Sequence, residues 1–251
     1  MKNKEKVCGI VVEYNPFHNG HKHHIEEAVK ITNADVLIAA MSPNFVQRGE
    51  PAIVNKWERT KAALDNGVDI VVEIPSPFVL QRADIFAKSA IKLLSYMKVD
   101  SIVYGSESNQ KQSISSFDKE SIKKGESFAK AANTQNLSPN DLLGSLYEKY
   151  AKKYNMETHT IQRSNEYHSL SLDNKIVSAS AIRKHLHEKG NVSNFTSMNL
   201  EELTIHKIDD YEESIQLILA REDKEALQNI LLMDEGIENL FLKQSHKSIH
   251  D

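Results

Sequence analysis

The sequence predicts an α/β fold: a doubly wound parallel sheet within residues 1–190, followed by a helical region over residues 191–251. Three observations predict it. Short apolar runs alternate with segments of helical periodicity through the first 165 residues, the pattern of parallel strands joined by crossover helices. The strands are continuous apolar runs, as strands covered on both faces require. Residues 200–251 read as helical and acidic, and the formal charge changes from +4 over residues 1–199 to −8 over residues 200–251.

Each element follows in order. Val7–Glu13 is a buried strand ended by a Tyr-Asn-Pro turn. From about Gly20 to Thr32 the apolar Ile25, Ala28, Val29 and Ile31 recur near helical spacing, and Asn33 closes the segment. Asp35–Met41 is a second strand. Asn55 can N-cap a helix through Leu64, which Asn66-Gly67 end. Asp69–Pro75 is a third strand, and Pro75 and Pro77 prevent its extension. A helix over Ala83–Met97 leads to a fourth strand, Val99–Ser106. Ser116–Ala132 is polar and mostly helical, and Ser138-Pro139 starts a helix through about Lys153, with proline at its first position. Met156–Arg163 is the last strand, and Ser180–Lys189 a helix ending at Gly190. Such a Rossmann-like sheet binds ligands beyond the carboxyl ends of its strands, here after Glu13, Met41, Pro75 and Tyr104.

Composition narrows the class. With 251 residues, 40% hydrophobic and 26% charged, the chain reads as an ordinary globular protein with a real core. No apolar run approaches the roughly 18–20 residues of a spanning helix, so no membrane anchor is expected. The start reads as a strand rather than a signal peptide. Cys8, a single cysteine inside that strand, excludes an internal disulfide, reads as a buried structural thiol and points to a reducing cytoplasm. The acidic tail repels nucleic acid, so any polyanion must bind the body of the protein.

Five constellations can carry chemistry. In EYNPFHNGHKHH (Glu13–His24), His18-Asn19-Gly20-His21 sets two imidazoles three residues apart at a helix start. The unpaired N–H groups there form an anion site, Gly20 permits close approach, and the histidines can stabilise charge growing on an α-phosphate. A plainer reading is a helix start with surface histidines. Zinc held by His18, His21, His23 and His24 is a sharper rival, weakened because the four rings point in different directions. After the second strand, Arg48, Lys56 and Arg59 can line a polyphosphate or tRNA-backbone surface, against a solvated loop and helix face; Trp57 reads as a packing residue. At Tyr104–Asn109, Gly105 permits backbone approach, and Ser106 and Glu107 can meet ribose or adenine edges. Asn140 reads as a cap-region residue, and Gln162-Arg163 end the fifth strand. Last, Ser178 and Ser180 open a helix with Arg183 one turn in, which is either ordinary capping or a second phosphate-binding helix start.

The pattern His-x-Gly-His opening a helix after a first strand resembles the nucleotidylyltransferase and class I synthetase superfamily. Together, GIVVEYNPFHNGHKHHI, MSPNFVQRGEPAIVNKWERTKAAL, DIVVEIP and YGSESN closely resemble the tRNA(Met) cytidine acetate ligase family, from Val7 to about Arg183. The resemblance implies a nucleotidylyltransferase-type sheet and an enzyme that makes acetyl-adenylate from acetate and ATP, with Mg2+ expected alongside ATP. It then acetylates N4 of the wobble cytidine of elongator tRNA(Met). It further implies that His18 and His21 are catalytic. ATP would be bound by Val11, Val12, Glu13, Tyr14, Asn15, Pro16, Phe17, His18, Asn19, Gly20, His21, Lys22, His23 and His24, and by Gly105, Asn140, Arg163, Ser178, Ser180 and Arg183. The family's usual lysine-arginine pair at the fifth strand's end is Gln162-Arg163 here.

Two other functions fit part of the pattern. One is a small-molecule adenylyltransferase or pantothenate-synthetase-like ligase; the other is a non-catalytic RNA-binding module, which intact His18, Asn19, Gly20, His21 and Arg183 oppose. No structural metal is expected, and no residue stands out as the base for acyl transfer. The family continues past the region resembling Met233–Gln244, so an incomplete helical region and weak tRNA acetylation are expected.

Overall fold

A computed structural model describes residues 5–109, 120, 137–163, 177–188, 190–231, 233 and 236–244. The expected helix over Ser116–Ala132 lies outside the described residues apart from Glu120. Two compact units divide the chain, Met1–Thr204 and Ile205–Asp251.

The first unit is built on a five-stranded parallel sheet in the order β3-β2-β1-β4-β5. Its strands are β1 (Val7–Val12), β2 (Val36–Met41), β3 (Ile70–Glu73), β4 (Ser101–Ser106) and β5 (Glu157–Gln162). Pairing of β1 with β2 runs from Val7↔Val36 to Val12↔Met41, and pairing of β4 with β5 from Ser101↔Glu157 to Ser106↔Gln162. Chain order reverses between β1 and β4, so a crevice opens at their carboxyl ends.

The helices of this unit are α1 (Asn19–Thr32), α2 (Lys56–Asp65), the single-turn α3 (Ser76–Val79), α4 (Ala83–Tyr96), α5 (Pro139–Ala151) and α6 (Ala179–His187), the last of which follows the final strand. Asn55 caps α2, accepting from the N–H groups of Trp57 and Glu58, and Asn33 ends α1 in the left-handed conformation at φ 48°. Ser138 and Ser178 cap α5 and α6. The sequence does not announce α3: Pro77, which by itself signals only a strand stop, sits at the start of a helix, where its missing N–H has no intrahelical partner to lose.

The main core lies between the sheet, α4 and α5. Ile38, Ala40, Ile102 and Tyr104 meet Phe86, Ile91, Leu94, Leu146 and Tyr147 there. At Gly9 the approach is close: a Cβ would stand 3.0 Å from both Leu94 Cδ1 and Val99 Cγ1. Cys8 is fully buried in β1, and burial pushes its thiol up to about 11.

Residues 191–204, which the sequence groups with the helical tail, belong to the first compact unit. The second unit holds α7 (Glu212–Arg221), α8 (Lys224–Gln228) and α9 (Ile237–Gln244). Within it, the buried Glu238 carboxylate accepts from Gln228 Nε2 and Asn239 Nδ2, each at 2.9 Å. Among the described residues no helix is long and apolar enough to cross a membrane.

Candidate active site

The chain leaves β1 through Glu13 and a strained residue, Tyr14, whose φ of 52° costs a side-chain-bearing residue about 1–2 kcal/mol. The Tyr14 ring packs edge-on against Phe17 and His21, both at 4.9 Å, and burial pushes its phenol far up. His18 then caps α1 in an unusual way. Its Nδ1 accepts the Gly20 N–H at 3.0 Å, while His21 Nδ1 accepts the His18 N–H at 3.3 Å. Two imidazoles therefore fill the roles that serine and glutamate play in an ordinary capping box. Accepting on Nδ1 puts the ring proton of each on Nε2.

Burial, reinforced by Arg163 and Arg183, lowers His18 to about 3, and burial with His18 and Arg163 nearby holds His21 well below the usual imidazole range. Both are neutral near pH 7. They can stabilise developing negative charge by hydrogen bonding, not as cations.

Other segments fasten this loop. Asn15 Oδ1 accepts the Ile53 N–H at 2.7 Å, and Arg183 Nη1 donates to the Asn15 carbonyl at 2.8 Å. Asn19 donates through its backbone N–H to Phe195 O at 2.9 Å and through its amide to Asn194 O at 3.0 Å. Thr196 Oγ1 donates to Phe17 O at 2.6 Å. The sequence offers no signal for the 194–196 contacts, because they join residues far apart in the chain.

A cleft of about 480 Å³ opens here, at the carboxyl ends of β1, β4 and β5. The predicted residues Val11, Val12, Glu13, Tyr14, Asn15, Gly20, His21, His23, His24, Gly105, Asn140, Arg163 and Arg183 line it together with Arg48. His24 Nε2 is buried there without a protein hydrogen-bond partner, and burial lowers its imidazole to about 4. Glu13 Oε1 accepts the Gln47 N–H at 2.8 Å; burial raises the carboxyl, opposed by that bond and by Arg48, Arg59 and Arg183. The starts of α1 and α6 thus face one cleft with arginines around it, a setting made for a polyphosphate.

Residues 5–250 match the family described as HIGH Nucleotidyl Transferase. The tRNA(Met) cytidine acetate ligase of Limosilactobacillus reuteri is 39% identical over 97% of this chain and 71% of its own length. That of Oceanobacillus iheyensis is 36% identical over 92% of this chain and 68% of its own. The chain belongs to the tRNA(Met) cytidine acetate ligase family. A crystal structure of Thermotoga maritima TmcAL bound with alpha-thio ATP superposes with a TM-score of 0.79 at 31% identity, covering 97% of this chain and 68% of that one.

Several residues of this ligase-family chain stand where the sequence did not put them. Arg59 is fully buried, not part of a phosphate surface. Its Nε donates to Val54 O at 3.1 Å, Nη1 to Glu13 O at 2.6 Å and Ser42 O at 3.1 Å, and Nη2 to Pro43 O. The guanidinium ties the ends of β1 and β2 to the loop before α2. Lys56 does not line the cleft; it pairs with Glu73 and sits 5.1 Å over the Trp57 ring. Trp57 is 71% exposed rather than packed, since it lies on the face of α2 opposite Arg59 and Ala63.

Ser106 and Glu107 are likewise committed to protein partners. Ser106 Oγ donates to Asp141 Oδ1 at 2.5 Å, and Glu107 Oε2 accepts from Ser138 Oγ at 2.6 Å. Pro16, Phe17, His18, Asn19, Lys22, Ser178 and Ser180 do not line the cleft; Ser178 Oγ accepts the Ala181 N–H at 3.1 Å as a cap. Zinc finds no support in the geometry: both Nδ1 atoms of His18 and His21 hold backbone N–H groups. Among the described residues no three His, Cys, Asp or Glu side chains gather as metal ligands.

Proposed function

We propose that this chain activates acetate with ATP and transfers the acetyl group to N4 of the wobble cytidine of elongator tRNA(Met). An acetate oxygen attacks the α-phosphorus in line, pyrophosphate leaves, and acetyl-adenylate forms. The cytidine amine then attacks the acetyl carbonyl, releases AMP and loses a proton. ATP enters with Mg2+ carried on its phosphates.

The observation that carries the reading is the 2.8 Å hydrogen bond from Arg183 Nη1 to the Asn15 carbonyl, which joins the start of α6 to the loop before α1. Two helix N-termini thereby converge on one polyphosphate. Neutral His21, which lines the cleft with its proton on Nε2, hydrogen-bonds the α-phosphate region as charge builds; His18 holds it from behind through the shared cap, and Arg163, Arg183 and Arg48 neutralise the departing pyrophosphate. Catalysis is positioning and charge stabilisation, as phosphoryl chemistry requires.

The test measures acetate-dependent exchange of pyrophosphate into ATP and, separately, N4-acetylcytidine in tRNA(Met) by nucleoside mass spectrometry. Exchange driven by a phosphorylated metabolite but not by acetate would assign the cleft to a small-molecule adenylyltransferase instead.

A further inference from the structure

Glu107 stands directly behind the cleft, just past the end of β4. Its Oε2 accepts the Ser138 hydroxyl at 2.6 Å, its Oε1 accepts the side-chain amide of Asn140, and the same Oε1 lies 3.9 Å from Arg163 Nε. The Glu107 side chain is only 12% exposed and does not line the cleft, whereas Asn140 and Arg163 do. Asp141 fixes Glu107 in turn, since its Oδ1 accepts the Glu107 N–H at 3.1 Å and the Ser106 hydroxyl at 2.5 Å.

An amide that gives its NH2 group to a carboxylate turns its carbonyl oxygen the other way. Asn140 therefore offers the cleft an acceptor. Arg163 runs across Gly105, where an added Cβ would stand 2.9 Å from Arg163 Cδ, and the Glu107 charge draws the guanidinium from one end. One carboxylate oxygen thus governs two side chains contributed by different elements.

We propose that Glu107 is the positioning residue of the nucleotide site, holding Asn140 as a fixed acceptor and Arg163 as a fixed cation from behind. The ligand group chosen through Asn140 is a donor, an N–H or a hydroxyl of the nucleotide. This rests on the adenylation reading of the cleft.

The experiment compares the full chain with E107Q, E107A, N140A and R183A in acetate-dependent pyrophosphate exchange, alongside thermal unfolding. E107A raises the KM for ATP on the order of tenfold, the range seen when groups that orient ligating side chains are removed, and leaves kcat at saturating ATP nearly unchanged. E107Q keeps an oxygen for Asn140 but drops the charge facing Arg163, so its KM falls between wild type and E107A; it also carries the test where E107A does not fold. A KM for ATP unmoved in E107A and E107Q while N140A or R183A raises it overturns the inference. So does a fall in unfolding temperature as the only effect. Should none of the four variants move the KM, the adenylation reading of this cleft falls first, and the role of Glu107 with it.

Discussion

His18 and His21 cap the same helix with each other's help: each accepts a backbone N–H on Nδ1, and their ring centres lie 3.8 Å apart. In the proposed reaction, folding and chemistry draw on this one pair, with His21 in the cleft wall and His18 behind it. The hydrogen bonds that start α1 also fix the tautomer that His21 presents to the cleft.

Replacing His21 by alanine lowers the adenylation rate by roughly 10²–10³, the effect of removing one donor to developing charge, and His18→Ala, which unseats His21, lowers it as well. ATP affinity falls less than the rate. His18→Ala also loses a cap, about 0.5–2 kcal/mol of stability, so the two variants separate in thermal unfolding. Near-normal turnover in both would remove these rings from the chemistry.

Acid weakens the fold through the same residues. His18 titrates near 3 when folded and near 6.5 as a model imidazole, so the unfolded chain binds more protons between those values. Its neutral form stabilises fully above about pH 6.5, and that contribution is lost as pH falls towards 3. At pH 5 the loss amounts to about 2 kcal/mol relative to pH 7.5, from 1.36 kcal/mol per pKa unit. His18→Asn, which retains capping ability, flattens the dependence of unfolding free energy on pH between 7.5 and 5. An unchanged slope in that variant would falsify the assignment of the acid sensitivity to His18.

Arg183→Ala weakens ATP binding by about 1.5–3 kcal/mol, the worth of a charge-assisted hydrogen bond. Lys56→Ala, which removes only a partly exposed ion pair with Glu73, changes ATP affinity little and stability by at most about 1 kcal/mol. Titration of both variants with ATP checks the contrast. Equal losses would put Lys56 back in the site.

Arg59→Ala destabilises by about 3 kcal/mol or more, because it strips donors from buried carbonyls of Glu13, Ser42, Pro43 and Val54. Arg59→Lys recovers only part of this, as an ammonium lacks the planar fork of donors. Urea unfolding gives the magnitudes. Unchanged stability with weakened tRNA affinity would return Arg59 to an RNA-contacting role.

What was legible in the sequence was local. Apolar runs and caps such as Asn55, Ser138 and Asn33 mark strand and helix positions because their causes lie within a few residues. The His-x-Gly-His and Ser178–Arg183 segments identified two helix starts, and only sheet order made them neighbours. The fate of Arg59 and Trp57 was not legible. Both lie on one short helix, and which face turns inward depends on carbonyls supplied by Glu13 and Ser42. From sequence Glu107 looks like a ligand contact because nothing near it announces Ser138 and Asn140 as its partners.

The hydrogen bond from Thr196 to the Phe17 carbonyl spans 179 residues. During synthesis the histidine loop leaves the ribosome 179 residues ahead of Thr196, so this fastening emerges only after the whole sheet. Closing so long a loop is entropically slow compared with pairing neighbouring strands. The nascent protein thus acquires its strands well before its motif loop is fully secured, and the finished cleft is timed to the near-completion of the first compact unit.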